Sequence, residues 1–593
     1  MIKHLLFIIF LFVVIFSFGQ NIKYKLSMNQ PQNHYYQVEI ELSDLKKSEF
    51  NLKMPIWAPG SYLAREFAKN VNLVKAFDSK GNIVKVKKTN KNTWKIDGFK
   101  GNRVVIKYDV YAFELSVRTS FLDLTHGFVS GSGVFMYVEE LKNKPGLLEI
   151  IPHKSFKVIT TALNEEIFWK SEFSSRCYKF NNYDHLVDCP IEIGNQLLFS
   201  FDASGVNHTV AMYGFGNYSV DKLQKDMANI VESATAVFGY NPNKEYTFII
   251  HNVVNAQGGL EHKNSTVLSV NRWTYEGEQY IKFLKLVAHE YFHLWNVKRI
   301  RPIELGPFNY DQENFTSLLW VMEGFTSYYE KLILYRAGYY SQIDFLNSMF
   351  STLNYVEGSL GSRVQPVSHA SFDAWIKAYR PNENSHNTTM SYYSRGSIIA
   401  MILDIQIIKK YNGKRSLDNF MQDLYSKYYI KKKRGFSENE FKQELKKILG
   451  ESIEQFYADY IDGTKIPNYT EIFFPLGLNV KYIGKPKPSV GMTLSSSQGK
   501  TIVKSIRNNS SSEQAGISVN DEIIGCNGIR VNKKSLDIYF NTVELGEEID
   551  ILFARDEQIF STTIIVDAYE KPEFKYIIED NINNNHLFNY WLK

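Results

Sequence analysis

The sequence is short of cysteine, of net charge and of long apolar runs. Cysteine occurs three times in 593 residues, at Cys177, Cys189 and Cys526. That excludes a disulfide scaffold and a cysteine-based zinc site. Cys177 and Cys189 are near enough in sequence to pair in an oxidising compartment, or to remain two buried thiols. Cys526, in a strand-like apolar stretch, reads as core. Net charge is only +5, which gives no electrostatic footprint for nucleic acid or an acidic membrane. Basic runs such as Lys431-Lys432-Lys433-Arg434 read as solvated helix ends. The one long apolar run, Leu5–Phe16, follows a short basic start at Lys3 and His4 and precedes the small residues Ser17 and Gly19. It falls short of the ~20 residues that span a bilayer and reads as the core of a signal peptide, residues 1–19. The expected product is exported, periplasmic or secreted, with no membrane span after signal removal.

Hydrophobic content of 44% and charged content of 22% are those of globular domains with real cores, and the length suggests roughly three to four of them. Aromatics are abundant, with 38 Tyr and 41 Phe.

Periodicity divides the chain. Residues 20–203 read as an antiparallel β-sandwich: Tyr35–Leu42, Val104–Tyr111 and Leu148–Ile151 alternate apolar and polar residues, with turns at Gly81-Asn82 and Gly101-Asn102 between them. Within this stretch Met54–Asn70, MPIWAPGSYLAREFAKN, is either a structural corner or a contact to the next domain. From residue 204 to 474 the pattern becomes α+β. A helix is expected over Val220–Phe238, strands over Tyr246–His251 and Ser265–Val270, then helices over Gly277–Val297, Asn314–Arg336, Asp344–Tyr355, Ser394–Tyr411, Ser416–Tyr428 and Glu438–Gly450. Short strands return over residues 477–568, and an Asn-rich tail of no clear pattern follows, residues 569–593.

The chemistry centres on LVAHEYFHLWNVKRIR. His289 and His293, four apart on a helix, share a face and can offer two imidazoles to one ion. Glu290 beside them suits a general base, the zinc-hydrolase arrangement. A catalytic zinc wants a third protein ligand. Glu323, in the apolar helix WVMEGFTSYYE, is the best candidate, because a carboxylate there is costly unless paired or coordinated. Glu330 is a candidate supporting group; Asp311, Glu313 and Glu304 compete from a loop. In Gly258-Gly259-Leu260-Glu261-His262 the glycines permit close approach of a backbone to a ligand, and Glu261 can receive a substrate ammonium. Tyr393, in Tyr392-Tyr393-Ser394-Arg395-Gly396, can donate to an oxyanion.

With these stretches together, the chain resembles the glycyl aminopeptidase family of PDZ-bearing zinc metallopeptidases. The likeness is carried by IWAPGSYLAREFAKN, GGLEHKNS, HEYFHLWNVKRIRP, WVMEGFTSYYE, SYYSRG and SSSEQAGISVNDEIIGCNG. It implies a multidomain α+β chain: an N-terminal β-sandwich, a thermolysin-like catalytic domain with a helical lobe, and a C-terminal PDZ domain. It implies one Zn²⁺ per chain, peptide substrates, and removal of small N-terminal residues such as Gly and Ala. It places Glu261 at the amine site and Tyr393 at the transition state. It also implies a peptide C-terminus as PDZ ligand, at Val490-Gly491-Met492 or Leu476-Gly477-Leu478. Two other readings stay open: an endopeptidase with the same site, and a non-catalytic peptide-binding envelope protein.

Overall fold

The computed structural model describes residues 22–167, 175–580 and 582–593. The expected signal peptide lies outside the described residues. Among those described, no helix is long and apolar enough to cross a membrane.

In Tyr35–Leu42 every second residue is buried, so one face of the strand is apolar and the other solvated. The strand pairs antiparallel with Ile22–Ser27 and Val104–Tyr111, within an 11-stranded sheet accompanied by a five-stranded one. Tyr36 and Ile106 from the larger sheet share one core with Leu122 and Ile193 from the smaller. The expectation of a wholly antiparallel domain is corrected at one pairing. Ile22–Ser27 runs parallel to Gly146–Ile151, and the long intervening chain supplies the crossover that parallel pairing needs.

The hairpin Leu197–Ala203 with Val206–Tyr213 opens a second five-stranded sheet, so residues on both sides of the expected boundary at 203 share one sheet. The order continues through Glu245–Val253 and Ser265–Asn271 to the edge strand Gln257–Glu261. The helix Val220–Ala236 is capped by the Ser219 side chain and buries Leu223, Met227, Ile230 and Ala234, residues at the spacing of one helical face. The helix Gly277–Phe292 follows and ends at His293 rather than Val297.

Leu319–Arg336 is buried on all sides from Leu319 to Leu334, so it forms the centre of a helical lobe. It begins later than Asn314 because the Asn314 side chain donates to the carbonyls of Asn309 and Gln312 and holds a loop instead. The helix Tyr392–Lys410 crosses it glycine on glycine. A Cβ on Gly324 would stand 2.4 Å from Gly396 Cα, and one on Gly396 would stand 2.3 Å from the Trp320 carbonyl oxygen.

Beyond the lobe, Met492–Ser497, Lys500–Ile506, Glu522–Cys526, Glu548–Arg555 and Gln558–Ile565 form a small sheet with its own core around Val503, Ile523, Leu536 and Ile549. The tail is not patternless. Phe574–Ile578 pairs with Leu478–Tyr482, and the helix His586–Leu592 buries Phe588 and Trp591 in the same core as Phe345 and Phe473. Trp591 Nε1 donates to the Tyr328 hydroxyl at 2.8 Å. The C-terminal β module is therefore an excursion from the helical lobe. All three cysteines are free and buried, so Cys177 and Cys189 are the two buried thiols.

Candidate active site

One cavity of about 280 Å³ is lined by Gly258, Gly259, Glu261, His289, Glu290, His293, Glu323 and Tyr393. Four elements bring these together: the edge strand, the His289 helix, and the two helices that meet at Gly324 and Gly396.

The ligating atoms converge. His289 Nε2 and His293 Nε2 lie 3.1 Å apart. Glu323 Oε2 is 3.3 Å from His293 Nε2 and 3.6 Å from His289 Nε2. A tetrahedral ion with ligands at about 2.0–2.1 Å sets neighbouring ligands roughly 3.3 Å apart, so the His₂Glu set fits zinc in both chemistry and spacing. Each histidine is held from behind, which fixes the nitrogen it presents. His289 Nδ1 meets Glu330 Oε2 at 2.7 Å, and His293 Nδ1 meets the Asn296 carbonyl at 2.6 Å. Asn296 in turn donates to the carbonyls of Val321 and Met322, at 3.0 Å each, which ties the turn after His293 to the Glu323 helix. Asp311, a rival ligand, is instead bound by Lys53, Asn92 and Tyr137 of the first domain.

Burial sets the charges. Desolvation pushes the Glu290 carboxyl up to about 7, against the opposing pull of His289 and His293; a proton acceptor near neutrality is what general-base work asks for. Burial alone would also raise Glu330. Lys331, the bond from His289, and Lys285 overcome it and hold that carboxyl down at about 2, so Glu330 is an anion behind its histidine. Tyr393 is pushed well above the ordinary phenol range, by burial first and then by Glu323, so it stays a donor.

The glycines of the edge strand differ in use. A Cβ on Gly258 would meet nothing, whereas one on Gly259 would stand 2.3 Å from Glu290 Cδ. Gly259 makes room for the general-base candidate rather than for a ligand's backbone. Glu261 is 4% exposed, its Oε1 has no hydrogen-bond partner, and its carboxylate lies within 4.8 Å of Glu290 and His293 ligand atoms. A buried carboxylate oxygen without a partner is costly unless a donor or cation meets it.

The Pro59-Gly60 turn of Met54–Asn70 does touch the active-site domain. Gly60, at φ +87°, lies so close that a Cβ there would sit 2.6 Å from Glu261 Oε1. Trp57 Nε1 donates to the Asn309 carbonyl, and the Trp57 ring meets Trp375 edge-on. His262 turns away from the cavity to Asp188, at 3.1 Å, which also pairs with Lys298 at 2.7 Å. Arg395 turns away as well: it is buried on Glu357, at 2.6 Å, and acts in packing the lobe. Sequence reasoning missed Asn296, Arg118 and Tyr379. Arg118 donates to the Gly259 carbonyl at 3.2 Å, and Tyr379 meets Tyr62 edge-on; neither sits in a motif. Asn296 sat unused inside the HLWN stretch.

Two family models match this chain: the Peptidase M61 N-terminal domain over residues 23–195 and the M61 glycyl aminopeptidase over residues 282–399. A solved aminopeptidase N family protein from Idiomarina loihiensis is 27% identical, covers 96% of this chain and 100% of its own, and superposes with a TM-score of 0.88. An M1 zinc metallopeptidase from Deinococcus radiodurans is 13% identical over 76% of this chain and 94% of its own, with a TM-score of 0.49. None of the curated proteins matches.

Proposed function

We propose that this peptidase, which carries the M61 N-terminal and M61 glycyl aminopeptidase domains, is a zinc-dependent aminopeptidase that removes small N-terminal residues from peptides. The observation that carries the reading is Glu261. A buried carboxylate with an unpartnered oxygen, within 4.8 Å of the Glu290 carboxylate, supports holding a substrate's ammonium so that the first peptide bond lies at the site of attack. The cavity is about 280 Å³, and the lining is mostly polar, charged or glycine, with Leu286 as an apolar side chain; this favours Gly or Ala at the first position.

His289, His293 and Glu323 would hold one Zn²⁺ per chain. Zinc, when bound, supplies Lewis acidity and a nucleophilic water near neutral pH. Glu290 takes the proton of the attacking water and passes it to the leaving amine nitrogen. Tyr393 donates to the carbonyl oxygen as it gains negative charge. The first domain's Pro59-Gly60 turn closes the cavity behind Glu261. Export to the periplasm or beyond, and a PDZ-type use of the C-terminal module with the Val490-Gly491-Met492 loop receiving a peptide carboxylate, complete the proposal.

The test compares Ala- and Gly-initiated tripeptides with their N-acetylated forms. Cleavage of the free peptides alone is expected. Equal cleavage of both makes the protein an endopeptidase. Glu290→Gln is expected to keep one zinc per chain and lose hydrolysis; unchanged hydrolysis removes Glu290 from the mechanism.

A further inference from the structure

A second and larger cavity, about 820 Å³, opens between the helical lobe and the C-terminal β module. This volume is within the range of ligand sites. Tyr393 lines both this cleft and the catalytic cavity, so the two spaces share a wall. The cleft is held open by specific bonds. Asn387 Nδ2 donates to the Ile506 carbonyl at 2.9 Å, and Asn508 N donates back to Asn387 Oδ1 at 3.1 Å. Asn354 brackets Phe574 the same way, at 3.0 and 2.8 Å.

The lining is asymmetric in charge. The catalytic cavity is lined by four carboxylates, Glu261, Glu290, Glu323 and Glu330, with Arg118, Lys282 and Lys285 at its edge. The residues lining the cleft include no carboxylate; their ionisable cations are Arg507, Lys571 and His386, set among serine and threonine hydroxyls. Arg507 is a built feature. Its guanidinium lies 4.1 Å from the Tyr569 ring centroid, its backbone N–H donates to the Gly491 carbonyl at 2.7 Å, and its Nη2 is buried without a hydrogen-bond partner. A guanidinium fixed in this way has lost little freedom still to lose when it binds a carboxylate.

We propose that the cleft receives the C-terminal part of the substrate, with Arg507 pairing with its terminal carboxylate and Lys571 adding to the field. Carboxylates would meet the ammonium at one end of the path and cations would meet the carboxylate at the other. The enzyme's substrates are then short peptides with both ends free. This rests on the aminopeptidase reading, since that reading fixes which end enters the catalytic cavity.

The experiment measures kcat/KM for Ala-initiated peptides of increasing length, each as the free acid and as the C-terminal amide. An alanine p-nitroanilide serves as a probe too short to reach the cleft. For wild type we expect no acid preference in the shortest peptides and about a tenfold one once the chain spans the path, the value of one charge-assisted hydrogen bond. In Arg507→Gln that preference falls to about one while the anilide rate stays unchanged. A wild-type acid/amide ratio of one at every length overturns the proposal without any variant. A ratio that persists in Arg507→Gln overturns the assignment of Arg507. Cleavage of N-acetylated peptides would sink the aminopeptidase reading instead, and that is read in a separate arm.

Discussion

Replacing Gly259 with alanine separates the site's geometry from its metal. The strand residue Gly259 needs no left-handed backbone, so alanine is tolerated by the chain itself. Its Cβ, however, would sit 2.3 Å from Glu290 Cδ and 2.4 Å from both Cγ and Oε1, where ordinary contact begins at 3.4 Å. The carboxyl group must therefore retreat by 3.4 − 2.3 = 1.1 Å. A misplacement of ~1 Å in a reacting group costs about 100-fold, or roughly 2.7 kcal/mol in the barrier. The zinc ligands His289 and His293 share the Glu290 helix, but the atoms nearest the added Cβ all belong to Glu290, so the ligands keep their places. Gly259→Ala is thus expected to keep one zinc and a near-wild-type melting temperature while kcat on alanine p-nitroanilide drops about 100-fold. Gly324→Ala is the control. Its Cβ would meet the backbone of Gly396 at 2.4 Å, and a backbone cannot rotate aside, so the two helices part and Glu323 moves with them. Stability and zinc affinity should fall together. A kcat for Gly259→Ala within threefold of wild type, or a loss of zinc equal to that of Gly324→Ala, refutes the reasoning.

Tyr393→Phe should lower kcat by about 10²–10³ with KM little changed, the cost of one lost oxyanion donor; a KM effect alone would place Tyr393 in binding. Chelation should abolish activity and lower the melting temperature, and zinc returned at 100 times its Kd should restore about 2.7 kcal/mol; scanning calorimetry with and without zinc reads this directly. Asp188→Asn tests the clasp between the domains. Burial would raise the Asp188 carboxyl, but Lys298 and His262 hold it well below the usual range. A depressed folded pKa gives stability that is present above the unfolded value of about 3.9 and lost as pH falls through the folded one. The melting-temperature gap between wild type and Asp188→Asn should therefore be widest near neutrality and shrink in acid. A gap that is flat with pH sinks that account.

What could be read from the chain was what short spacings carry. His289 and His293 are one helical turn apart, and Glu323 is a charge set between Trp320 and Phe325 in a buried helix, so local rules sufficed. Glu261 was legible for the same reason, as a charge beside paired glycines. Asn296 and Arg118 were not, and Gly60 was legible only as part of a stretch that could be a corner or a contact. Each matters through a partner far off in sequence: Val321 for Asn296, Glu261 for Gly60, Gly259 for Arg118. Arg395 shows how far a motif reaches. It lies inside a motif that looks catalytic, yet its guanidinium goes to Glu357, because the side chain two residues past Tyr393 faces a different side of the helix. The tail was opaque because its order comes from pairing with Leu478–Tyr482 and from docking Trp591, and neither leaves a local period.

That docking has a consequence for how the chain is made. Trp591 donates to Tyr328, on the same helix as Glu323, and Phe574–Ile578 completes the ribbon begun at Leu478–Tyr482. The segments that finish the catalytic lobe are thus synthesised after the β module that interrupts it. Until then the Tyr328 helix lacks part of its cover.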